Sequence, residues 1–357
     1  MMGENGKITI YDIARETGVS ASTVSRVYNG YENVSAKKRE EIEALLKKYN
    51  YVPDAVATGL RKTCTKTLGV IASDLRNPFF SHLLIECEKI ANLNGYTIFS
   101  CDSLEVQEME IEHFRRLANQ KVDAVIQIGG SSDRKQVSEA YFQCIKDVSA
   151  RIPIISAGYA FCDNCYSVRT DEARAMRTLL EYLIGLGHRE IAFVGGKKEI
   201  RSTYEKREQY RETMLKRGLP FREEYVIEGE YDKESGYYSV KKLLEGKRIP
   251  SAIIMINEMT AVGAMKAVRE KGLGIPEDMS MVCFDNTYIS ETTKPALTTV
   301  GCNYAKFAQK LIYTALDAAG ERKPEKLSYV ESVFVIRDSA IDREERIREK
   351  EMNILLK

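Results

Sequence analysis

The run Thr9-Ile10-Tyr11-Asp12-Ile13-Ala14, continued by Gly18-Val19-Ser20 and Thr23-Val24-Ser25-Arg26-Val27, decides how this 357-residue chain is read. Thr9 is placed to cap a helix, and Asp12 three residues on completes a capping box. Ile10, Ile13 and Ala14 give that helix one apolar face, and Gly18 ends it. Ser20 caps a second helix, whose Val24 and Val27 face inward. Ser35 caps a third, with Ile42, Leu45, Leu46 and Tyr49 at helical spacing until Asn50 and Pro53 stop it. Two short helices around a Gly-containing turn, packed by a third, is the helix-turn-helix plan. The second helix exposes Ala21, Ser22, Ser25 and Arg26 in its first turns. Arg can grip guanine with two hydrogen bonds, Ser suits several bases, and Ala can meet a thymine methyl. Spacing alone also admits a three-helix bundle with no DNA role.

Beyond about Thr65 the pattern changes. Apolar runs alternate with amphipathic stretches: Leu68 to Ala72, Thr97 to Phe99, Ala124 to Ile126, Ile152 to Ile155, Ile191 to Val194, Ala252 to Met255 and Met281 to Phe284. Near-continuous apolar strands separated by helices predict parallel sheets covered on both faces. Seven or more such units fit two doubly wound lobes better than one, with ligands bound at the C-terminal ends of the strands.

Composition restrains the function classes. The net charge of +1 does not itself point to nucleic acid, but a small basic module can hide inside a neutral total. No signal peptide and no membrane-spanning apolar run is visible, so a cytoplasmic protein without membrane contact is expected. Eight cysteines in a chain of this length are expected as free thiols, including Cys162 and Cys165. With three histidines, no structural zinc is expected, and no cofactor. Gly129-Gly130-Ser131-Ser132 and Gly195-Gly196-Lys197-Lys198 complete no phosphate-binding fingerprint and read as tight turns. No nucleophile elbow or paired-His motif appears, so no catalytic residues are assigned and the chain is not expected to be an enzyme.

The residues from Thr9 to Asn29-Gly30, with Val34-Ser35, Arg39 and Tyr51-Val52-Pro53, resemble the signature of the lactose-repressor (LacI/GalR) family of transcription regulators. The resemblance continues through Asn77-Pro78-Phe79-Phe80, Gly187-His188, Gly263, Ile275-Pro276-Glu277-Asp278, Phe284-Asp285 and Pro295 to Thr299. It implies an α/β chain: a three-helix headpiece and two parallel-sheet lobes like those of periplasmic binding proteins, crossed about three times. The implied boundaries are a headpiece at 1–52 and a hinge helix and linker at 53–65. The first lobe takes 66–165 and 299–328, the second 166–298 and 329–340, and 341–357 form a charged tail. The resemblance implies that Ala21, Ser22 and Arg26 read bases. It implies that Thr9, Tyr11, Ser25, Asn29 and Ser35 contact the DNA backbone, contacts that orient the protein but carry little sequence information. Leu60 stands where the family inserts a leucine wedge into the minor groove. Asp54, Thr58 and Gly59 depart from the family pattern there, and a mid-helix Gly costs about 1 kcal/mol against Ala.

By the same matching, Ser73, Asn257 and Asp285 contact an effector, and Phe79 is expected to offer it a stacking face. Lys206 takes the position of the family's cleft arginine, with Arg207 one residue off and Gln209 in place of a glycine. Lys lacks the planar fork with which arginine grips vicinal hydroxyls. Gly158 stands where many members carry an aspartate. Phe80, Tyr159, Phe161 and Tyr204 are further candidates for a stacking face, and His188 reads as structural. The implied function is a homodimeric repressor on pseudo-palindromic operator DNA, controlled by a sugar-like small molecule. A protein corepressor, a nucleoside effector and a cytoplasmic sugar-processing enzyme are the alternatives.

Overall fold

Helix α1 (Ile10–Thr17) starts where the capping pattern places it: the Thr9 amide and hydroxyl both donate to the Asp12 carboxylate, at 2.9 and 2.5 Å. Those bonds hold Asp12 below the usual carboxylate range. Gly18 ends α1 in the left-handed conformation, and Ser20 caps α2 (Ala21–Tyr28) by accepting from the Thr23 amide. Helix α3 (Ala36–Lys48) begins after Ser35, whose hydroxyl makes no cap bond. Ile13, Ala14, Val24, Val27 and Ile42 form the buried core of these three helices. The Lys38 ammonium donates to the Thr17 carbonyl at the C-terminus of α1, where helix geometry leaves carbonyls unpaired. The computed structural model describes residues 8–28, 34–49, 51, 64–320 and 322–343. Asn29, Leu60, most of the expected hinge and residues 344–357 of the expected tail lie outside them. The chain divides into two compact units, Met1–Thr65 and Lys66–Lys357.

The second unit holds two six-stranded sheets. The first contains β1 (Thr67–Ala72), β2 (Thr97–Asp102), β3 (Ala124–Ile128), β4 (Ile154–Ala157), β5 (Cys165–Thr170) and β11 (Leu327–Val330), in the order β11-β5-β4-β3-β1-β2, all parallel. The second contains β6 (Ile191–Val194), β7 (Val226–Ile227), β8 (Ala252–Met255), β9 (Ser280–Asp285), β10 (Thr298–Cys302) and β12 (Ser332–Val335), in the order β12-β10-β9-β8-β6-β7. Only β12 runs antiparallel, on the edge beside β10. Around the sheets lie α4 (Pro78–Leu93), α5 (Gln107–Asn119), α6 (Glu139–Ser149), α7 (Glu172–Gly185), α8 (Arg201–Lys216), α9 (Lys233–Leu244), α10 (Glu258–Glu270), α11 (Tyr288–Thr292) and α12 (Tyr304–Ala319).

The expected lobe boundaries need correction. Strand β5 belongs to the first sheet, so the chain leaves that lobe after Thr170 rather than at 165. Strand β10 belongs to the second sheet, so the return falls after Cys302 rather than at 298. Strand β11 stays with the first sheet, so the last crossing follows Val330. In each case a strand completes its ladder before the chain departs, because a buried strand cut short would leave backbone groups unpaired. The run from Thr97 to Phe99 is an edge strand rather than a buried one, and Phe99 is half exposed.

Helices α9 and α10 cross closely over the second sheet. A Cβ at Gly263 would lie 1.8 Å from the Lys233 carbonyl oxygen, and one at Gly236 would lie 2.0 Å from the Thr260 carbonyl oxygen. These glycines let two backbones touch, and the crossing sets where the N-terminus of α10 stands. His188 is buried, with Nδ1 2.9 Å from the Ser251 hydroxyl and Nε2 3.3 Å from the Ile341 carbonyl. Burial lowers it to about 4, so it is neutral at physiological pH and acts as a tie for the chain after β12.

Candidate functional site

The C-terminal ends of both sheets open onto one cavity of about 400 Å³. Ser73 follows β1, and the turn Gly130–Asp133 follows β3; Thr170 ends β5, and Glu172 follows it. From the second lobe come Lys206 on α8, Asn257 after β8 and Asp285 at the end of β9. This is the strand-end placement expected of ligands in doubly wound sheets. Phe79, Phe80, Ile256, Phe284, Val300 and Phe307 supply an apolar part of the same lining. Phe79 and Phe80 meet edge to face at 5.3 Å.

The structure therefore brings together Ser73, Phe79, Lys206, Asn257 and Asp285. It does not bring in Arg207. On a helix the next residue points about 100° away, and the Arg207 guanidinium donates to Glu228 at 3.1 Å and to the Gly196 carbonyl at 2.9 Å. Arg207 is thus corrected from effector contact to a brace for the turn after β6. Tyr159, Phe161 and Tyr204 also stay out of that lining. Tyr159 lies under the Arg169 and Arg201 guanidinium groups, Phe161 packs on the first lobe's core, and Tyr204 lies under the Lys135 ammonium. Asn257 is first a helix cap: its carbonyl accepts from the Thr260 amide at 2.9 Å, and its amide donates to the Tyr231 carbonyl at 2.9 Å. One N–H of that amide remains to face the cavity.

Asp285 is different. Among the described residues no group donates to its carboxylate, although its backbone oxygen accepts from the Tyr304 hydroxyl at 2.9 Å. Its backbone is left-handed, with φ 93°, and Asn286 follows at 55°. Gly301 on β10 sits against this turn: a Cβ there would lie 2.1 Å from the Asp285 oxygen. The neighbouring strand thus clasps an unusual backbone that aims a carboxylate into the cavity.

The acidic groups Asp133 and Glu172 were not anticipated from sequence. Asp133 accepts from the Ser202 amide at 3.2 Å and hydroxyl at 2.5 Å. Its supporting turn is held by buried Glu110, which accepts from the Ser131 amide at 3.0 Å and from Gln127. Glu172 is ion-paired with the buried Lys206 ammonium. Burial pushes Asp133 up to about 6, against the Ser202 bonds. Burial also raises Asp285, with Lys206 opposing and Glu172 adding to the shift. Burial alone would lower Lys206, but Glu172, backed by Asp285 and Asp133, outweighs it and keeps the ammonium charged. A signal for Asp133 was present in its position after a strand and a glycine pair. The absence of a carboxylate at Gly158 is physical: a Cβ there would lie 2.6 Å from the Ser132 hydroxyl.

Contacts outside the chain crossings join the two lobes beside the cavity. The Arg169–Glu205 ion pair closes at 2.8 Å, and the Tyr159 hydroxyl also bonds to Glu205. Arg134 and Ile200 form an antiparallel bridge, next to a 2.8 Å bond from the Lys135 amide to the Glu199 carbonyl.

In the headpiece, Ser22 and Arg26 are exposed four residues apart, on one face of α2. Tyr11 is 60% exposed, and Thr9 and Ser35 are exposed. Ser25 is half-buried. Ala21 is half-buried too and packs against the headpiece core, so only part of it is offered outward. Thr9 commits both its donors to Asp12.

Residues 9–54 match the family described as bacterial regulatory proteins of the lacI family, and residues 180–340 match a periplasmic binding protein-like domain. The chain is similar to catabolite control protein A of Priestia megaterium, with 34% identity over 82% of this chain and 87% of that protein. It is also similar to the HTH-type transcriptional repressor PurR of Histophilus somni, with 27% identity over 93% and 98% of the two chains. Among solved structures, the lac repressor dimer bound to operator and the anti-inducer ONPF superposes with a TM-score of 0.80 at 25% identity. That match covers 94% of this chain and 99% of the other. No helix among the described residues is long and apolar enough to cross a membrane.

Proposed function

This chain belongs to the lacI family of bacterial regulatory proteins, and from that premise we propose that it is a sequence-specific repressor whose operator affinity is set by a small molecule in the sensor cleft. The observation that supports ligand control is the cavity itself. It lies at the strand ends of both lobes, and its lining combines aromatic rings with Asp285, Asn257 and Lys206. Apolar walls with a few convergent polar groups are the usual make-up of small-molecule sites, and this composition suits a sugar or sugar derivative. Because the cavity takes groups from both lobes, its occupant binds open and closed lobe arrangements unequally, which is the requirement for control of a distant site. Ser22 and Arg26 read base edges in this proposal, with Ala21 as a smaller apolar contact. Thr9, Tyr11, Ser25, Asn29 and Ser35 position the headpiece on phosphates, and Leu60 forms the minor-groove wedge. The protein acts as a homodimer whose two-fold axis matches a pseudo-palindromic operator.

A thermal-shift panel of sugars, nucleosides and sugar phosphates tests the cleft. A true effector at saturating concentration raises the sensor's unfolding temperature by about 5 °C or more. Asp285→Ala abolishes that rise. Asn257→Ala reduces it, and there the ligand-dependent shift is the readout, since loss of a helix cap by itself costs about 1 kcal/mol. A rise undiminished in both variants refutes the cleft assignment.

A further inference from the structure

The polar floor of the cavity holds more carboxylates than the protein compensates. Asp133 comes from the first lobe, Asp285 from the second, and Glu172 stands just past the first crossing. The ammonium facing all three is Lys206, and it is already paired with Glu172 while resting 4.8 Å from the centre of the Phe284 ring. The other basic groups of the lining are engaged elsewhere. Arg169 pairs with Glu205 at 2.8 Å, Lys197 pairs with Glu230 at 2.6 Å, and Arg134 donates to the Glu105 carbonyl at 3.2 Å. Glu105 and Glu199 also line the cavity, and Lys197 lies 3.7 Å from Glu105. Behind Asp285, buried Glu258 spends one oxygen on the Thr287 amide at 2.9 Å and supplies no positive charge.

Resting on the cleft reading above, we propose that the effector carries a protonated amine, which sits between Asp133 and Asp285 while its apolar or sugar-ring face lies on Phe79 and Phe80. An ammonium has three donors, and the Asp285 carboxylate has its acceptor sites open. Hydrogen bonds between an ammonium and a carboxylate are about twice as strong as neutral ones, so a neutral hydroxyl in the same place gains less. Burial raises both aspartates, and a cation bound between them opposes that rise as Lys206 already does in part.

The placement also supplies a switch. Closing the lobes gathers Asp133, Glu172 and Asp285 around the single Lys206 ammonium, which leaves an excess of negative charge in one space. A cation between them reverses the sign of that contribution and favours the closed arrangement. A neutral ligand of the same shape lacks this difference between states, and only a difference in affinity shifts the equilibrium.

The test uses calorimetric titration of the full chain with matched pairs: glucosamine against glucose, galactosamine against galactose, and putrescine against 1,4-butanediol. In at least one pair the amine binds ten-fold or more tightly than its neutral partner. Asp133→Asn and Asp285→Asn each reduce that preference to less than three-fold, with thermal unfolding in the absence of ligand showing that both variants are folded. Equal affinity within every pair, or a preference that survives both substitutions, overturns the proposal. If a neutral compound binds with an affinity sensitive to Asn257→Ala and no amine is preferred, the charge inference falls and the cleft stands. If nothing in these pairs or in the wider panel binds, both fall.

Discussion

Gly263→Ala lowers the unfolding midpoint of the sensor, although Gly→Ala inside a helix ordinarily stabilises. In an exposed helix the exchange gains about 1 kcal/mol. Here the new methyl lands 1.8 Å from the Lys233 oxygen and 2.7 Å from the Tyr237 amide nitrogen, and both are backbone atoms that cannot rotate away. Helices α9 and α10 must separate, which loosens a core that includes Val240, Ala264, Met265 and Val268. Overpacking of this kind costs about 3 kcal/mol or more, against a total stability of roughly 5–15 kcal/mol for a domain. Urea unfolding followed by circular dichroism reads it directly. The same change weakens effector binding, because the crossing positions Asn257 and its partner Tyr231 at the cavity. A midpoint equal to or above that of the parent would show that the two helices are not held as described.

Arg26→Ala flattens preference at one base pair of each half-site and costs about 1–3 kcal/mol on the preferred duplex, five- to more than a hundred-fold in affinity. Arg26 is exposed on the same face of α2 as Ser22, while Val24 and Val27 on the opposite face are buried. The side chain can therefore be removed without touching the core, and the loss reads as recognition rather than folding. Competition binding against single-base variants of the site measures it. An unchanged base preference in Arg26→Ala would remove that residue from the reading set.

Much of the molecule was legible in the sequence where one physical rule dominates. The headpiece helices followed from caps and apolar spacing because Ser20, Gly18 and Val24 each act locally. Strands β1, β3, β6, β8 and β9 were legible because burial on both faces demands continuous apolar runs. Strand β10 was not, since it is buried yet built from Thr298, Thr299, Val300, Gly301 and Cys302. Thr298 is tolerated inside because its hydroxyl has partners, among them the Arg337 amide, which donates to it at 2.9 Å, whereas the Thr299 hydroxyl is buried with no partner among the described residues. Such partners come from distant chain and leave no local pattern. The lobe boundaries slipped for a related reason: which sheet β5, β10 and β11 each join is decided by pairing rather than by composition.

The site divides the same way. Asp285, Asn257 and Ser73 sit at or just past strand ends, so the topology rule reached them. Asp133 carries a positional signal, a strand and a glycine pair before it, but where it and Glu172 stand depends on how a turn and a helix start are held, by Glu110 and by Lys206. Lys206 lines the cavity, but its partner changes its meaning. Paired with Glu172, it is first a counter-ion within the protein.

The central claim is that one chain couples an operator to an occupant of its cleft. The most direct measurement is affinity of the intact chain for its preferred duplex, selected from a random-sequence pool, with and without a compound that stabilises the sensor. Selection is expected to enrich a pseudo-palindrome. The compound changes affinity for it by ten-fold or more, a coupling of about 1.4 kcal/mol, and Asp285→Ala removes the change while leaving ligand-free binding intact. Failure to enrich any symmetric sequence, or an affinity indifferent to every compound that stabilises the sensor, would contradict the claim.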